Sequence, residues 1–435
     1  MGCKITKDWS LQQGKAEWLL LTADFGSLQM RLTTQDTSIN PSTIDLDQPC
    51  DPGLYSIYNR NTECADAHSN TGRIVFVDSI GGQLYVYTMD DGSKIKLYQD
   101  TKIPELNGKL SQDLKVGDTL EGKKIASIEH RSMTTKEFKS FTKDDYIDKY
   151  GDKRFAGWRR VSKTVNFGVL FGCTAPTLAK QLENAGYKEE EAEDYLNLTN
   201  NMPFYNELLL QNAKKPKPLA PGKVKFLAAG ALMLEAYYKG FPGVQERARR
   251  EKEFAWVHGY SRMWHGGVKH LPELRYMLRN AKGELVGADK KMWSSMFSNL
   301  NNEAGNAPIQ CMESNIAIKT IINVTDYAHE WKLKSYLWNM VHDSEDWCIW
   351  KPELDLVCSL VNACSTWLRE PHKGIDMCMD FSICDPSKGY QKNMYHGGLE
   401  NPFKIKPIDE AIKDWNESHK NIPGFEPISW HGCSC

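Results

Sequence analysis

The sequence predicts an α+β fold, and three observations predict it. Two short apolar segments, EWLLLTADF (17–25) and SYLWNMVHDSEDWCIW (335–350), end on or turn around an acidic residue and read as strands. Helical periodicity runs through 143–196, 235–257 and 290–327. Residues 73–131 instead break into short alternating segments separated by Gly, Asp-Gly and Asn-Gly turns, the pattern of a small β module.

Each element follows from local chemistry. The run 17–25 is too short for a buried helix and is closed by Gly26 and Ser27. In the β module, RIVFVDS, GQLYVYTMDDGSKIKLY and KKIASIEH are the expected strands. Residues 211–225, QNAKKPKPLAPGKVK, are Pro-rich and basic and read as an exposed loop or linker. The segment 335–350 folds as two strands around a tight acidic turn, with a helix near 352–369 and a strand at 374–383 to follow. The last forty residues carry little pattern, and there is no internal repeat.

Composition bounds the function. With 435 residues, 41% hydrophobic and 25% charged, the chain is an ordinary globular one of two to four domains, not a disordered or fibrous protein. Lys plus Arg (54) nearly balances Asp plus Glu (56), so any nucleic-acid binding must come from a local patch. Apolar runs such as Trp18 to Leu21 are far below the roughly 20 residues a membrane span needs, so no membrane partner is expected. The amino terminus has no apolar secretory region, and the twelve cysteines form no CxxC pair, so a reducing cytoplasm is the expected compartment. His431, Cys433 and Cys435 are three ligands on a tail and do not close a tetrahedral site.

Two constellations carry chemistry. In RRVSKTVNFGVLFG (159–172), Arg159, Lys163, Phe167 and Phe171 recur every four residues and form one stripe on a helix. Cations followed by aromatics suit a nucleoside triphosphate; the alternative is an amphipathic helix with solvated cations and its Phe residues in the core. Asp24 ends one strand and Asp343 sits in a hairpin turn. Two carboxylates brought together by a sheet are what a pair of Mg²⁺ ions about 3.5 to 4 Å apart requires for nucleotidyl transfer. Taken singly, either Asp is more often a turn former or a cap.

The order of these segments resembles the family A DNA polymerases, the DNA polymerase I type, over about residues 15–395. TADFGSLQMR (22–31) looks like the first family motif, usually DYSQIELR; 159–172 matches the second; VHDS (341–344) looks like the third, usually VHDE. Asp66-Ala67-His68-Ser69, YYKGFPGV (237–244) and NAPIQ (306–310) resemble lesser family elements. The resemblance implies a right-hand polymerase, its palm an antiparallel sheet and its fingers helical, of bacteriophage type. It implies that Asp24 and Asp343, with the Phe25 carbonyl, hold two Mg²⁺ ions. On the same resemblance, His68, Arg159 and Lys163 are expected to contact the triphosphate, Lys163 being also the expected acid for the leaving pyrophosphate. Phe167 is expected to lie against the incoming nucleotide, Phe171 and Gly172 to flank the templating position, and Asn306, Gln310 and His342 to touch primer-template DNA. The partners implied are primer-template DNA and dNTPs.

The departures matter as much. Gln29 replaces the family Glu that walls off a ribose 2′-hydroxyl, and as a neutral donor is expected to weaken ribonucleotide exclusion relative to Gln29→Glu. Phe171 replaces Tyr, Ser344 replaces Glu (with Glu345 and Asp346 close behind), and Asn302 stands where Arg is common. The β module also faintly resembles the Hint fold of inteins but has neither the nucleophile Cys nor the terminal His-Asn of splicing. A second surplus near 197–232 carries Lys214, Lys215, Lys217, Lys223 and Lys225.

The expected organisation is palm and the start of the fingers at 1–72, the inserted β module at 73–131, fingers at 132–300, palm at 301–395 and a carboxyl-terminal extension at 396–435. The competing readings are a single-subunit-type RNA polymerase, which the NFG of the second motif opposes, and an idle replication scaffold, which the retained Asp24, Asp343 and Lys163 oppose. Only 23 residues precede Asp24, too few for the thumb of the family. The expectation is therefore a split enzyme whose second polypeptide supplies thumb and 3′–5′ exonuclease elements.

Overall fold

Alternation along the strand Trp18–Phe25 buries Leu21, Ala23 and Phe25 on one face and leaves Thr22 and Asp24 on the other. The computed structural model describes residues 18–38, 51–59, 64, 66–263, 266–365, 375, 377, 379–383, 399–400 and 405–433. Trp18–Phe25 is the middle of a five-stranded antiparallel sheet in the order Tyr336–Val341, Ser344–Trp350, Trp18–Phe25, Met379–Ile383, Leu399–Glu400. The register sets Asp24 opposite Ser344 on one side and Asp380 on the other. On the apolar face, Trp347 and Ile349 join Leu21 and Phe25 against helices Ala288–Glu330, Leu354–Ser365 and Ile408–His419. Each Leu- or Ile-sized side chain buried there contributes about 1.5 to 3 kcal/mol. That packing also carries the 43-residue helix through Pro308, an interior proline that costs about 3 kcal/mol.

The expected hairpin is present, with His342 and Asp343 as its turn and His342 in the left-handed region at φ 58°. The helix expected near 352–369 is Leu354–Ser365, and the strand expected at 374–383 is Met379–Ile383; the remainder of both lies largely outside the described residues.

A second core gathers Val75 and Phe76 from helix Ala67–Phe76, Val161 and Val165 from helix Arg154–Leu170, and Met233 and Tyr237 from helix Pro221–Gly240. Here one expectation fails. RIVFVDS (73–79) is not a strand but the end of helix Ala67–Phe76. Its β-branched residues suggest extension, but Asp66 caps the helix by accepting from the Ser69 N–H at 3.0 Å, and Val75 and Phe76 bury against neighbouring helices.

The β module proper is a sheet in the order Lys94–Tyr98, Leu84–Met89, Lys123–Arg131, Thr119–Leu120, beside the two-stranded Lys102–Ile103 and Lys109–Leu110. Its core includes Phe155. Trp158 stacks on Phe76 with ring centroids 5.4 Å apart. The module is thereby packed onto the helix that carries Lys163. The basic loop is shorter than expected: helix Met202–Ala213 ends before it, and Pro221 opens the next helix. Lys223 pairs with Glu183, and Lys225 with Glu189 (2.9 Å) and Glu193 (2.8 Å), so part of its charge is neutralised. The helical run 235–257 is likewise interrupted, Pro242 starting the new helix Pro242–His258. Among the described residues no helix is long and apolar enough to cross a membrane.

Candidate active site

Five separate segments of the chain meet in one cleft of about 640 Å³. It is lined by Asp24, Phe25, Gln29, His68, Lys163, Phe167, Phe171, Gln310, His342 and Asp343. These are ten of the thirteen residues singled out in the sequence. Arg159, Gly172 and Asn306 are not among the lining residues.

The acidic end is built by the sheet. Asp24 ends its strand, the chain turns through Ser27 (φ 58°), and helix Leu28–Ser38 begins. Arg31 holds that turn, donating through Nε to the Gly26 carbonyl at 2.7 Å while its guanidinium lies 5.0 Å above the Tyr58 ring. The Phe25 N–H donates to the Asp343 carbonyl at 3.4 Å, tying this turn to the hairpin. Asp24 keeps an accessible edge. Even so, packing around its carboxyl, followed by repulsion from Asp343, Asp380 and Asp346, raises its pKa to about 6. Burial raises Asp343 as well. Asp24, whose charge Asp343, Asp380 and Asp346 all disfavour, offers with Asp343 the hard oxygen donors that fit a divalent cation such as Mg²⁺. Alternation sends Glu345, the near neighbour of Ser344, to the other face. It is fully buried there, takes a 3.1 Å hydrogen bond from Trp347 Nε1, and has its pKa pushed by burial to about 8. Its carboxyl therefore does not face the cleft.

The basic and aromatic end is one face of helix Arg154–Leu170. Val161, Val165 and Val169 bury in the core, whereas Phe167 and Phe171 are each 39% exposed. The phenylalanines therefore face the cleft and are not core residues. Lys163 Nζ lies 5.9 Å from the Phe167 ring centroid, and His68 packs against the same ring at 5.8 Å. Thr71 Oγ1 donates to Asn166 Oδ1 at 2.9 Å, which orients the Asn166 amide so that Nδ2 donates to His68 Nδ1, also at 2.9 Å. The His68 proton is then assigned to Nε2. Burial, with Arg159 and Lys163 nearby and Asp66 only partly opposing, lowers the His68 pKa to about 4, so the ring is neutral at pH 7.

The remaining expected residues sit at the margins. Arg159 donates through Nη2 (3.0 Å) and Nε (3.3 Å) to Asp66 Oδ2, bracing the cap of the helix that bears His68. Gly172 ends the stripe at φ 66°, where a Cβ would lie 3.2 Å from Asn302 Oδ1. Asn306 is half-buried on the long helix, one turn before the exposed Gln310. Cys435 of the tail lies outside the described residues.

Two residues that the sequence reading passed over belong to the site. Asn166 fixes His68. Glu313 lines the cleft and accepts a 2.8 Å hydrogen bond from Gln29 Nε2. Burial and the charge of Asp343 raise its pKa against that hydrogen bond. Its place three residues beyond Gln310, one helical turn along the same face, was the available signal.

No family model and no curated protein matches the sequence. Among solved structures, the fold is similar to the "POL domain of Pol1 from M. smegmatis complex with DNA primer-template and dNTP", with a TM-score of 0.46 and 16% identity over 86% of this chain. This chain spans 40% of that one.

Proposed function

We propose that the chain is the palm and fingers of a template-directed DNA polymerase of the family A type, which adds dNTPs to a primer 3′-hydroxyl. The observation that carries this reading is the single cleft in which two strand-end carboxylates face a Lys-Phe stripe and a neutral His donor. In it, Asp24 and Asp343, with the Phe25 carbonyl, hold two Mg²⁺ ions. When bound, the ions lower the pKa of the primer hydroxyl and neutralise the triphosphate. Lys163 donates its proton to the departing pyrophosphate, His68 Nε2–H donates to a phosphate oxygen, and Phe167 stacks against the nucleotide. Gln310 and His342 meet the primer-template from the palm side. Arg159 reaches the triphosphate by exchanging Asp66 for it.

The reading extends to a second polypeptide that carries thumb and exonuclease elements. What supports a docking face is the edge strand Tyr336–Val341, on which Tyr336, Trp338 and Val341 are 38 to 40% exposed. The reading is tested by single-nucleotide primer extension with Mg²⁺. Addition of the template-matched dNTP over the three mismatched ones is expected, and indifference to the template would overturn it. A polypeptide of the expected kind should co-purify with the chain and raise the rate.

A further inference from the structure

Two cysteines from distant parts of the chain meet in the core beneath the five-stranded sheet. Cys364 lies near the end of helix Leu354–Ser365 and is fully buried. Cys433, in the carboxyl-terminal segment, is half-buried, packs against the same core, and its thiol hydrogen-bonds with that of Cys364. The chain on the approach to Cys433 is fastened down. Trp331 Nε1 donates to the Ser429 carbonyl at 3.2 Å, Tyr327 Oη donates to the Gly432 carbonyl at 2.6 Å, and the His431 N–H donates to Tyr327 Oη at 3.2 Å. The Trp430 ring lies 4.5 Å from that of Tyr327, and Gly432 turns the chain at φ 86°, a conformation that a side chain disfavours. Further back, the Asn416 amide pairs with both backbone groups of Ile428, at 2.8 and 2.9 Å.

We propose that Cys364 and Cys433 form a dithiol/disulfide couple, a covalent latch that ties the carboxyl-terminal segment to helix Leu354–Ser365 when the surroundings turn oxidising. In a reducing compartment the couple rests as two thiols. The contact with Cys433, followed by burial, raises the Cys364 pKa well above the usual thiol value, so Cys364 keeps its proton. The half-buried Cys433 is therefore the sulfur that meets a small oxidant. With glutathione disulfide as that oxidant, the Cys433 thiolate attacks one of its sulfurs, releases one glutathione thiolate and is left as a mixed disulfide. Cys364 then loses its proton, attacks Cys433 Sγ and expels the second glutathione thiolate. The protein gives up two protons and two electrons, and glutathione disulfide takes them up and leaves as two thiols. The latch closes a long loop, and the longer the loop, the more a disulfide constrains the unfolded chain.

The test uses the full chain as wild type, Cys433→Ser and Cys435→Ser. Each is incubated with glutathione disulfide, quenched in acid, alkylated and peptide-mapped, and its melting is followed with and without reductant. Wild type and Cys435→Ser should each yield a Cys364–Cys433 linked peptide and melt about 3 °C or more above their reduced forms. Cys433→Ser should show neither. Cys358, as buried as Cys364, should remain open to alkylation after denaturation and controls for indiscriminate pairing.

A Cys433–Cys435 link, a lasting glutathione adduct on Cys433, no oxidation at all, or a Cys364–Cys433 link that leaves melting unmoved overturns the proposal. If Cys433→Ser fails to fold, the peptide maps and melting of wild type and Cys435→Ser decide the matter alone. None of these readouts depends on nucleotide addition, so the outcome is separate from that of the polymerase reading.

Discussion

The backbone N–H of Phe25 donates to the carbonyl oxygen of Asp343 at 3.4 Å, so the end of the central strand and the hairpin turn are joined at the residues beside and bearing the two carboxylates. The backbones that carry Asp24 and Asp343 are thereby held together at the end of the sheet. The consequence is electrostatic: the charge of Asp343 helps to raise the Asp24 pKa before any cation arrives.

That coupling has a measurable sign. Replacing Asp343 by Asn removes one cause of the raised Asp24 pKa, which should move from about 6 toward 3.8 in a carboxyl NMR titration. An unmoved midpoint would show that the two groups do not interact.

The same shift makes the ion-free protein less stable once Asp24 ionises. Its folded pKa is raised, so its stabilising contribution is complete below the unfolded pKa near 3.8 and is lost as pH rises through about 6. In chelator at pH 7, Asp24→Asn should melt above wild type, by about 1 °C given the accessible edge of the group. The gap should close at pH 4, and a lower melting temperature for the variant at pH 7 would contradict the account.

His68 behaves oppositely. Its folded pKa lies near 4, so the neutral ring resists protonation and stability falls as pH drops from about 6.5 toward 4. Nitrogen NMR should find one neutral tautomer, protonated at Nε2, at pH 6. Asn166→Ala should release that tautomer, cost about 1 to 2 kcal/mol by leaving the buried Thr71 hydroxyl unpaired, and raise KM for the nucleotide. A charged His68 at pH 6 would remove its role as a neutral donor.

Gly72 tests the packing beneath His68. A Cβ there would stand 2.5 Å from Phe138 Cζ and 3.1 Å from Ser162 Oγ, between helix Thr135–Phe141, which shares the core of the β module, and the Lys163 helix. Gly72→Ala should destabilise the protein by about 1 to 3 kcal/mol in denaturant unfolding. A neutral result would mean that the module does not seat on the helix as described.

Much of this site was legible because its signals are local. Asp24 and Asp343 sit where apolar strands end, and the four-residue spacing of Arg159, Lys163 and Phe167 survives folding as one helix face. What sequence could not give depends on contacts between distant segments. Glu313 joins Gln29 across 284 residues and Asn166 joins His68 across 98, and neither pairing has a local signature. The misread strand at 73–79 failed for a related reason. β-Branched residues state a weak preference, which the Asp66 cap and burial of Val75 and Phe76 override. Register, in turn, decided that Glu345 leaves the cleft while Asp24 and Ser344 stay paired.

The most direct measurement is the rate of matched single-nucleotide addition, with Mg²⁺, by wild type, Asp24→Asn, Asp343→Asn and Glu345→Gln. Glu345 supplies the control: its carboxyl, with a pKa of about 8, is mostly protonated at pH 7 and lies on the far face, so Gln is a near-isostere. The account predicts templated addition by wild type, losses of about a thousandfold or more in both Asp variants with folding retained, and less than about a tenfold change in Glu345→Gln. Near wild-type addition by either Asp variant, or no templated addition by the wild-type chain, would contradict it.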